Sequence, residues 1–184
     1  MVIEDKRVRR TKKLLRQALT DLMREKEFKN ITVSDVVRCA DISRGTFYVY
    51  YRDVYDLREK VENEMLDALR QTTLDALPEV LTQSAMRTVV ERAVCYMEEN
   101  HDLVFVLLRD KGVGSFEDKL MELMDECCQR VSRPKSEADW FSIWFVSAGC
   151  IGMLKKWMMQ PEPIGRDVVI DMLDEMLGRI LQAV

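Results

Sequence analysis

From position 43 the chain reads Ser-Arg-Gly-Thr-Phe-Tyr-Val-Tyr-Tyr. These side chains suit the binding of a polyanion better than bond-breaking chemistry. Ser43 is a good N-cap, and a helix opening there offers a hydroxyl and free backbone N–H groups to phosphate. Arg44 is long enough to reach a base edge, and arginine pairs best with guanine. Gly45 has no side chain, so the backbone can approach a groove closely. Thr46 suits a thymine methyl or a phosphate, and the hydroxyls of Tyr48 and Tyr50 suit phosphate oxygens. Phe47, Tyr48, Tyr50 and Tyr51 crowd five positions, too many aromatics for a small surface helix without a partner. Phe47 and Tyr51 lie four apart and pack inward, which leaves Tyr48 and Tyr50 outward. The plainer reading of the same residues is a corner between helices with exposed aromatics.

Little else in the chain could do chemistry. No nucleophile–base pairing, metal set or phosphate loop is visible, and the single histidine, His101, has no local partner pattern. No enzyme activity, cofactor or metal is therefore expected. Cys39, Cys95, Cys127, Cys128 and Cys150 are odd in number and show no CxxC spacing, so they read as reduced, mostly buried thiols. The adjacent pair Cys127 and Cys128 points about 100° apart on a helix, a poor geometry for a shared sensor site.

The net charge of −4 conceals an asymmetry. Residues 1–60 hold 15 Lys and Arg against 10 Asp and Glu, whereas the remainder holds 13 against 22. A basic segment on an acidic body implies that one end meets a polyanion. Hydrophobic residues at 47% and charged residues at 33% fit a globular chain. With only 7 Gly and 4 Pro among 184 residues, few turns are encoded and long helices are favoured. No apolar run reaches the roughly 18 residues of a membrane span. The basic stretch from Met1 to Arg10 lacks an apolar segment behind it, so no secretory signal is read and a cytoplasmic location is expected.

Periodicity and caps supply the elements. Residues 6–27 form one helix with an apolar stripe of Leu14, Leu15, Ala18, Leu19, Leu22 and Met23. Thr32 caps a short helix at 33–39, Ala40-Asp41-Ile42 makes a tight turn, and Ser43 caps Arg44–Tyr50. Asp53 caps a long helix to about Leu77, stopped by Pro78. Further helices fall near 84–100, 102–110, 115–132, 137–160 and 165–183, with Gly112 and Gly114 in a loop and Pro134, Pro161 and Pro163 between the last three. Two short helices joined by a three-residue turn behind a longer one make a helix-turn-helix, whose second helix enters the major groove by its N-terminal end.

Residues 9–57 resemble the TetR family of transcriptional regulators. The resemblance is carried by Ile31 to Val37, by Ala40-Asp41-Ile42-Ser43-Arg44-Gly45-Thr46-Phe47-Tyr48, and by Tyr51 to Leu57. It implies a homodimer with two recognition helices in successive major grooves and a ligand-responsive C-terminal domain. It further implies that Thr32 contacts phosphate, that Ser43, Arg44 and Thr46 make groove contacts, and that Tyr48 contacts phosphate. Tyr50 stands where the family often has histidine, and its hydroxyl can keep that phosphate contact. Two positions depart from the family. Asp41 stands where the turn usually has glycine, so the turn is either slightly strained or places Asp41 in the left-handed conformation that Asp tolerates. Val54 stands where a phosphate-binding lysine is common, so that contact is lost, with Arg52 as its replacement. Arg9 and Arg10, ahead of the first stripe, are placed to reach the DNA backbone.

The segment Phe141 to Trp157, with Gly149, Gly152 and Lys155-Lys156-Trp157, resembles the C-terminal domain of a Firmicutes-type TetR subgroup. Trp140, Trp144, Ala148, Ile151 and Lys155 share one helix face, and Phe141, Phe145, Gly149 and Gly152 a neighbouring one. Glycine inside a helix costs about 1 kcal/mol relative to alanine, which the close approach of another helix would offset. The last helix carries Met172, Leu173, Met176 and Ile180. Trp140, Phe141, Phe145, Ala148, Gly149, Gly152, Met172, Leu173, Met176 and Ile180 are the expected dimer interface, a four-helix isologous contact. Met65, Leu69, Met86, Val90, Met97, Phe105, Arg109, Phe116, Met124 and Trp144 are the expected effector pocket. The flexibility of methionine suits such a pocket, although methionine at helical spacing equally fits plain core. Arg109 is the candidate anchor for an anionic effector.

The sequence thus predicts an all-α protein of about nine helices, with a DNA-binding domain at 1–52 and a ligand-binding and dimerisation domain at 53–184. The expected function is a homodimeric repressor on a palindromic double-stranded operator, released by a small apolar effector. The alternative keeps the fold but replaces the effector with a protein partner, as in a co-activator or adaptor. A sealed core would favour the alternative.

Overall fold

The computed structural model describes residues 6–74, 83–110, 114–132, 134–160 and 164–181, with side chains except those at 83, 131, 132 and 179–181. Among the described residues there are nine α-helices, one 3-10 turn and no strand. None of these helices is long and apolar enough to cross a membrane. The chain divides into two compact units, Met1–Glu64 and Met65–Val184.

In the first unit, α1 (Lys6–Glu25) buries Leu15, Ala18, Leu19, Leu22 and Met23. Leu14, expected in that stripe, is 40% exposed. It lies one step, about 100°, from Leu15 and so falls at the stripe's edge. The helix ends two residues earlier than expected because Phe28–Asn30 forms the 3-10 turn, with Phe28 buried. Helix α2 (Val33–Cys39) opens on a capping box: the Asp35 N–H donates to Thr32 Oγ1 at 3.3 Å, and the Thr32 N–H donates to Asp35 Oδ2 at 3.0 Å. Lys26 Nζ adds a 2.8 Å contact to Asp35 Oδ2, and Arg38 a 2.9 Å contact to Oδ1. Helix α3 (Arg44–Tyr50) follows a turn in which Asp41 takes φ 52°. That is the left-handed conformation, and it costs ordinary residues roughly 1–2 kcal/mol. Helix α4 (Val54–Leu74) begins where Asp53 Oδ1 accepts the Asp56 N–H at 2.8 Å.

The second unit holds the rest of α4 with α5 (Gln83–Glu99), α6 (His101–Arg109), α7 (Phe116–Ser132), α8 (Glu137–Met158) and α9 (Arg166–Leu181). Its interior includes Val94, Leu107, Leu108, Phe116 and Ile143. Helix α5 packs chiefly on α9, and α7 on α8. Charged pairs follow the same partners. Arg87 of α5 meets Asp171 of α9 at 2.7 Å, and Lys155 of α8 pairs with Glu117 of α7. His101 Nε2 lies 3.2 Å from the Met158 carbonyl oxygen and joins α6 to the end of α8. Each helix starts and stops within about two residues of its expected bounds where described. The expected stop at Pro78, Gly112, Pro161 and Pro163, and the side chain of Ile180, lie outside the described residues.

The contacts of the first unit make two stability predictions. The Lys26 ammonium, together with the hydroxyl and N–H of Thr32, holds the Asp35 carboxyl well below the ordinary carboxylate range. A depressed carboxylate pKa stabilises the fold above about pH 4, and that stabilisation is lost as the pH falls. Asp35→Asn should therefore lower Tm at neutral pH and flatten the acid-side fall in Tm, read by circular dichroism melts. At Asp41, substitution by alanine should destabilise by about 1 kcal/mol, whereas glycine should be neutral or stabilising. Urea titration of the two variants separates these outcomes.

Candidate nucleic-acid interface

Seven residues make α3 too short to persist alone. Phe47 anchors it, fully buried, with its ring 5.8 Å from that of the buried Tyr51. At the N-terminus, the Thr46 N–H donates to Ser43 Oγ at 3.0 Å, and the two hydroxyls lie 2.8 Å apart. Anchor and cap together leave one strip of α3 outward: Arg44, Gly45, Tyr48 and Val49 are exposed, spaced i, i+1, i+4 and i+5. Tyr48 is 57% and Val49 72% exposed. Val49 is not among the residues expected from the sequence, although its place four residues after Gly45 puts it on the same face. Tyr50, expected outward, is half-buried beside Tyr51. Among the described residues, a side chain at Gly45 would meet Ser43 Oγ at 3.7 Å, an ordinary contact that does not exclude one.

The remaining candidates surround this strip. Arg44 donates to Ser34 Oγ at 2.5 Å and so ties α3 to α2. Ser43 is exposed and Thr46 half-buried. Thr32 is exposed at the head of α2, its hydroxyl 2.8 Å from Asp35 Oδ2. Arg9 and Arg10 are exposed on α1. Val54 is buried. Arg52 is exposed nearby and reaches Asp56 Oδ1 at 3.2 Å. Asp56 is itself buried and also accepts from Lys60 at 3.0 Å. The Arg52 N–H and the Lys60 ammonium pull its carboxyl below the ordinary range. Lys60 also donates to the Tyr50 carbonyl at 3.0 Å and sits 5.2 Å from the Tyr51 ring. It is a basic residue at this edge that sequence reasoning misses. A buried acid cannot be seen in a sequence, and it is what holds both cations there.

The second unit contains a cavity of about 70 Å³. Thr73 of α4, Met86, Val89, Val90, Ala93 and Val94 of α5, Met124, Cys127 and Cys128 of α7, Leu154 of α8, and Leu173 and Leu177 of α9 line it. Of the expected pocket residues, Met86, Val90 and Met124 are brought together here. Met65, Leu69, Met97 and Phe116 are buried elsewhere in the core, and Phe105 is half-buried. Arg109 is exposed, its guanidinium 5.5 Å from the Phe105 ring. Trp144 does not line the cavity; it is 50% exposed on α8, beside Trp140 and Phe141. Helix α8 is apolar on several sides, so its spacing does not reveal which side turns inward.

On α8, Phe141, Phe145, Ala148, Gly149 and Gly152 are exposed, and Trp140 is half-buried. Met172 and Met176 of α9 are exposed as well, whereas Leu173 is buried and lines the cavity instead. Among the described residues, nothing beyond its own helix lies within 4 Å of where a side chain on Gly149 or Gly152 would begin.

A TetR-type family model, described as transcriptional regulator C-terminal region, matches residues 84–179, more than half of the chain. Over 100 residues the chain is 26% identical to the uncharacterized HTH-type transcriptional regulator YxbF of Bacillus subtilis (strain 168). That match covers 53% of this chain and 26% of the relative, so the chain spans about a quarter of that protein's length. Among solved structures, a putative TetR-family transcriptional regulator from Syntrophomonas wolfei str. Goettingen superposes with a TM-score of 0.70 at 14% identity, over 94% of this chain and 95% of that one. A TetR transcriptional regulator from Streptococcus agalactiae 2603V does so with a TM-score of 0.65 at 21% identity, over 94% and 96% of the two chains. The chain belongs to the TetR family of transcriptional regulators.

Proposed function

We propose that the chain is a repressor that binds a palindromic operator as a homodimer and leaves it when a small-molecule effector binds. In this reading residues 1–52 are the DNA-binding domain and 53–184 the effector and dimerisation domain. The observation that carries the reading is the outward strip of Arg44, Gly45, Tyr48 and Val49 over a fully buried Phe47. Arg44 reads a base edge, Gly45 admits close approach, and Val49 offers a methyl surface to thymine. Tyr48, Thr32, Ser43, Arg9, Arg10 and Arg52 hold phosphates and fix the register. Thr46 and Tyr50, half-buried, support the strip from its sides.

Two heads are needed to read a palindrome, with half-sites about 34 Å apart or a multiple of that. The exposed apolar face of Phe141, Phe145, Met172 and Met176, with room at Gly149 and Gly152, supports pairing through α8 and α9. Exposed apolar side chains gathered on one face favour an interaction surface. Leu173 belongs to the core of its own subunit. The cavity supports the effector reading over the adaptor alternative, for which a sealed core is the expected mark. Thr73 on its wall belongs to the same helix, α4, as the buried Val54, Leu57 and Val61 of the first unit. A ligand that shifts α4 changes the spacing of the heads and weakens binding without touching DNA.

Gel-shift titrations on operator and scrambled DNA test the interface. Arg44→Ala should reduce sequence discrimination by about 1–3 kcal/mol, whereas Tyr48→Phe should weaken both duplexes alike. Unchanged discrimination by the Arg44 variant contradicts the reading. Phe145→Glu places a charge in the pairing face. It should give a folded monomer by sedimentation and lose operator binding, and a persisting dimer would refute the assigned face.

A further inference from the structure

The cavity wall fixes what kind of molecule can enter, and this step rests on the effector reading above. The twelve described residues that line it are uncharged at neutral pH. Thr73 is the one hydroxyl among them, and it already donates to the Leu69 carbonyl at 2.9 Å. Among the described lining residues, Cys127 and Cys128 are the titratable ones. Burial raises the Cys127 thiol and pushes that of Cys128 up to about 12, so both stay neutral. A charged ligand would find no counter-charge among these residues and would lose its hydration. Arg109, the sequence's candidate for binding an anion, is exposed over Phe105 and is not part of the wall.

Size and softness narrow the class further. About 70 Å³ is several times what one water requires, roughly 10–15 Å³, and about half of the roughly 150 Å³ cavity known to take benzene. Met86 and Met124, each with three rotatable bonds, can make up the difference. With Cys127 and Cys128 they make four sulfur-bearing side chains in the lining, and sulfur packs favourably against the edge of an aromatic ring. We infer that this cavity binds an uncharged apolar molecule no larger than about one ring, with an aromatic ring favoured by the sulfur-rich wall.

Thermal melts of the full chain with benzene and with benzoate test the assignment. Benzene in millimolar excess should raise Tm by about 2–5 °C, and benzoate at the same concentration should leave it unchanged. Val90→Phe fills the cavity and should abolish the benzene shift. Ala93→Leu provides a second, milder filling should the larger side chain disturb folding, which circular dichroism reports. No shift with benzene, an equal shift with benzoate, or a benzene shift that survives in a folded filled variant each overturns the inference. Operator release is read separately by gel shift. Benzene binding without release upholds the ligand class and counts against effector release instead.

Discussion

The burial of one ring decides what this protein presents to the outside. Phe47 sits in a helix of seven residues, a length at which isolated helices do not persist in water. Its packing with Tyr51, beneath a Ser43 cap, holds α3 in place and fixes its rotation. Once that rotation is set, the strip containing Arg44, Gly45, Tyr48 and Val49 has nowhere to go but outward. The turn before it must also close in three residues, and Asp41 achieves this in a conformation more usual for glycine.

Around that anchor, acidic side chains organise basic ones. Asp35 gathers Lys26, Thr32 and Arg38 at the start of α2. Asp56 gathers Arg52 and Lys60 at the start of α4. In each case a carboxylate near a helix start also positions cations near the surface that faces DNA in the proposed complex. Local folding and electrostatic presentation are therefore the same set of contacts. The second unit repeats the capping part alone: Ser136 and Asp139 form a capping box on α8.

Much of this architecture is legible in the amino-acid sequence. Caps at Thr32, Ser43 and Asp53 mark helix starts because a side-chain oxygen must satisfy a free N–H there. The four-residue spacing of Phe47 and Tyr51 marks the inward face of α3. The sequence is least informative along α8, which carries Ile143, Val146 and Leu154 inward and Phe141, Trp144 and Phe145 outward. A helix apolar all round gives periodicity nothing to separate. Spacing therefore assigns Trp144 to the cavity and Leu173 to the pairing face, where burial places neither, and it gives no sign that Cys127 and Cys128 form part of the cavity wall. Lys60 escapes notice for a different reason: its partner, the buried Asp56, looks like any helix-surface acid in the sequence.

In the proposed complex α3 reads DNA from each half of a twofold pair. Selecting the tightest duplexes from a random library, then footprinting them with hydroxyl radicals, addresses it directly. The expected product is an inverted repeat whose two protected half-sites are centred about 34 Å, or a whole multiple of it, apart. Enrichment of a single unrepeated site, or no enrichment over the starting pool, would contradict it.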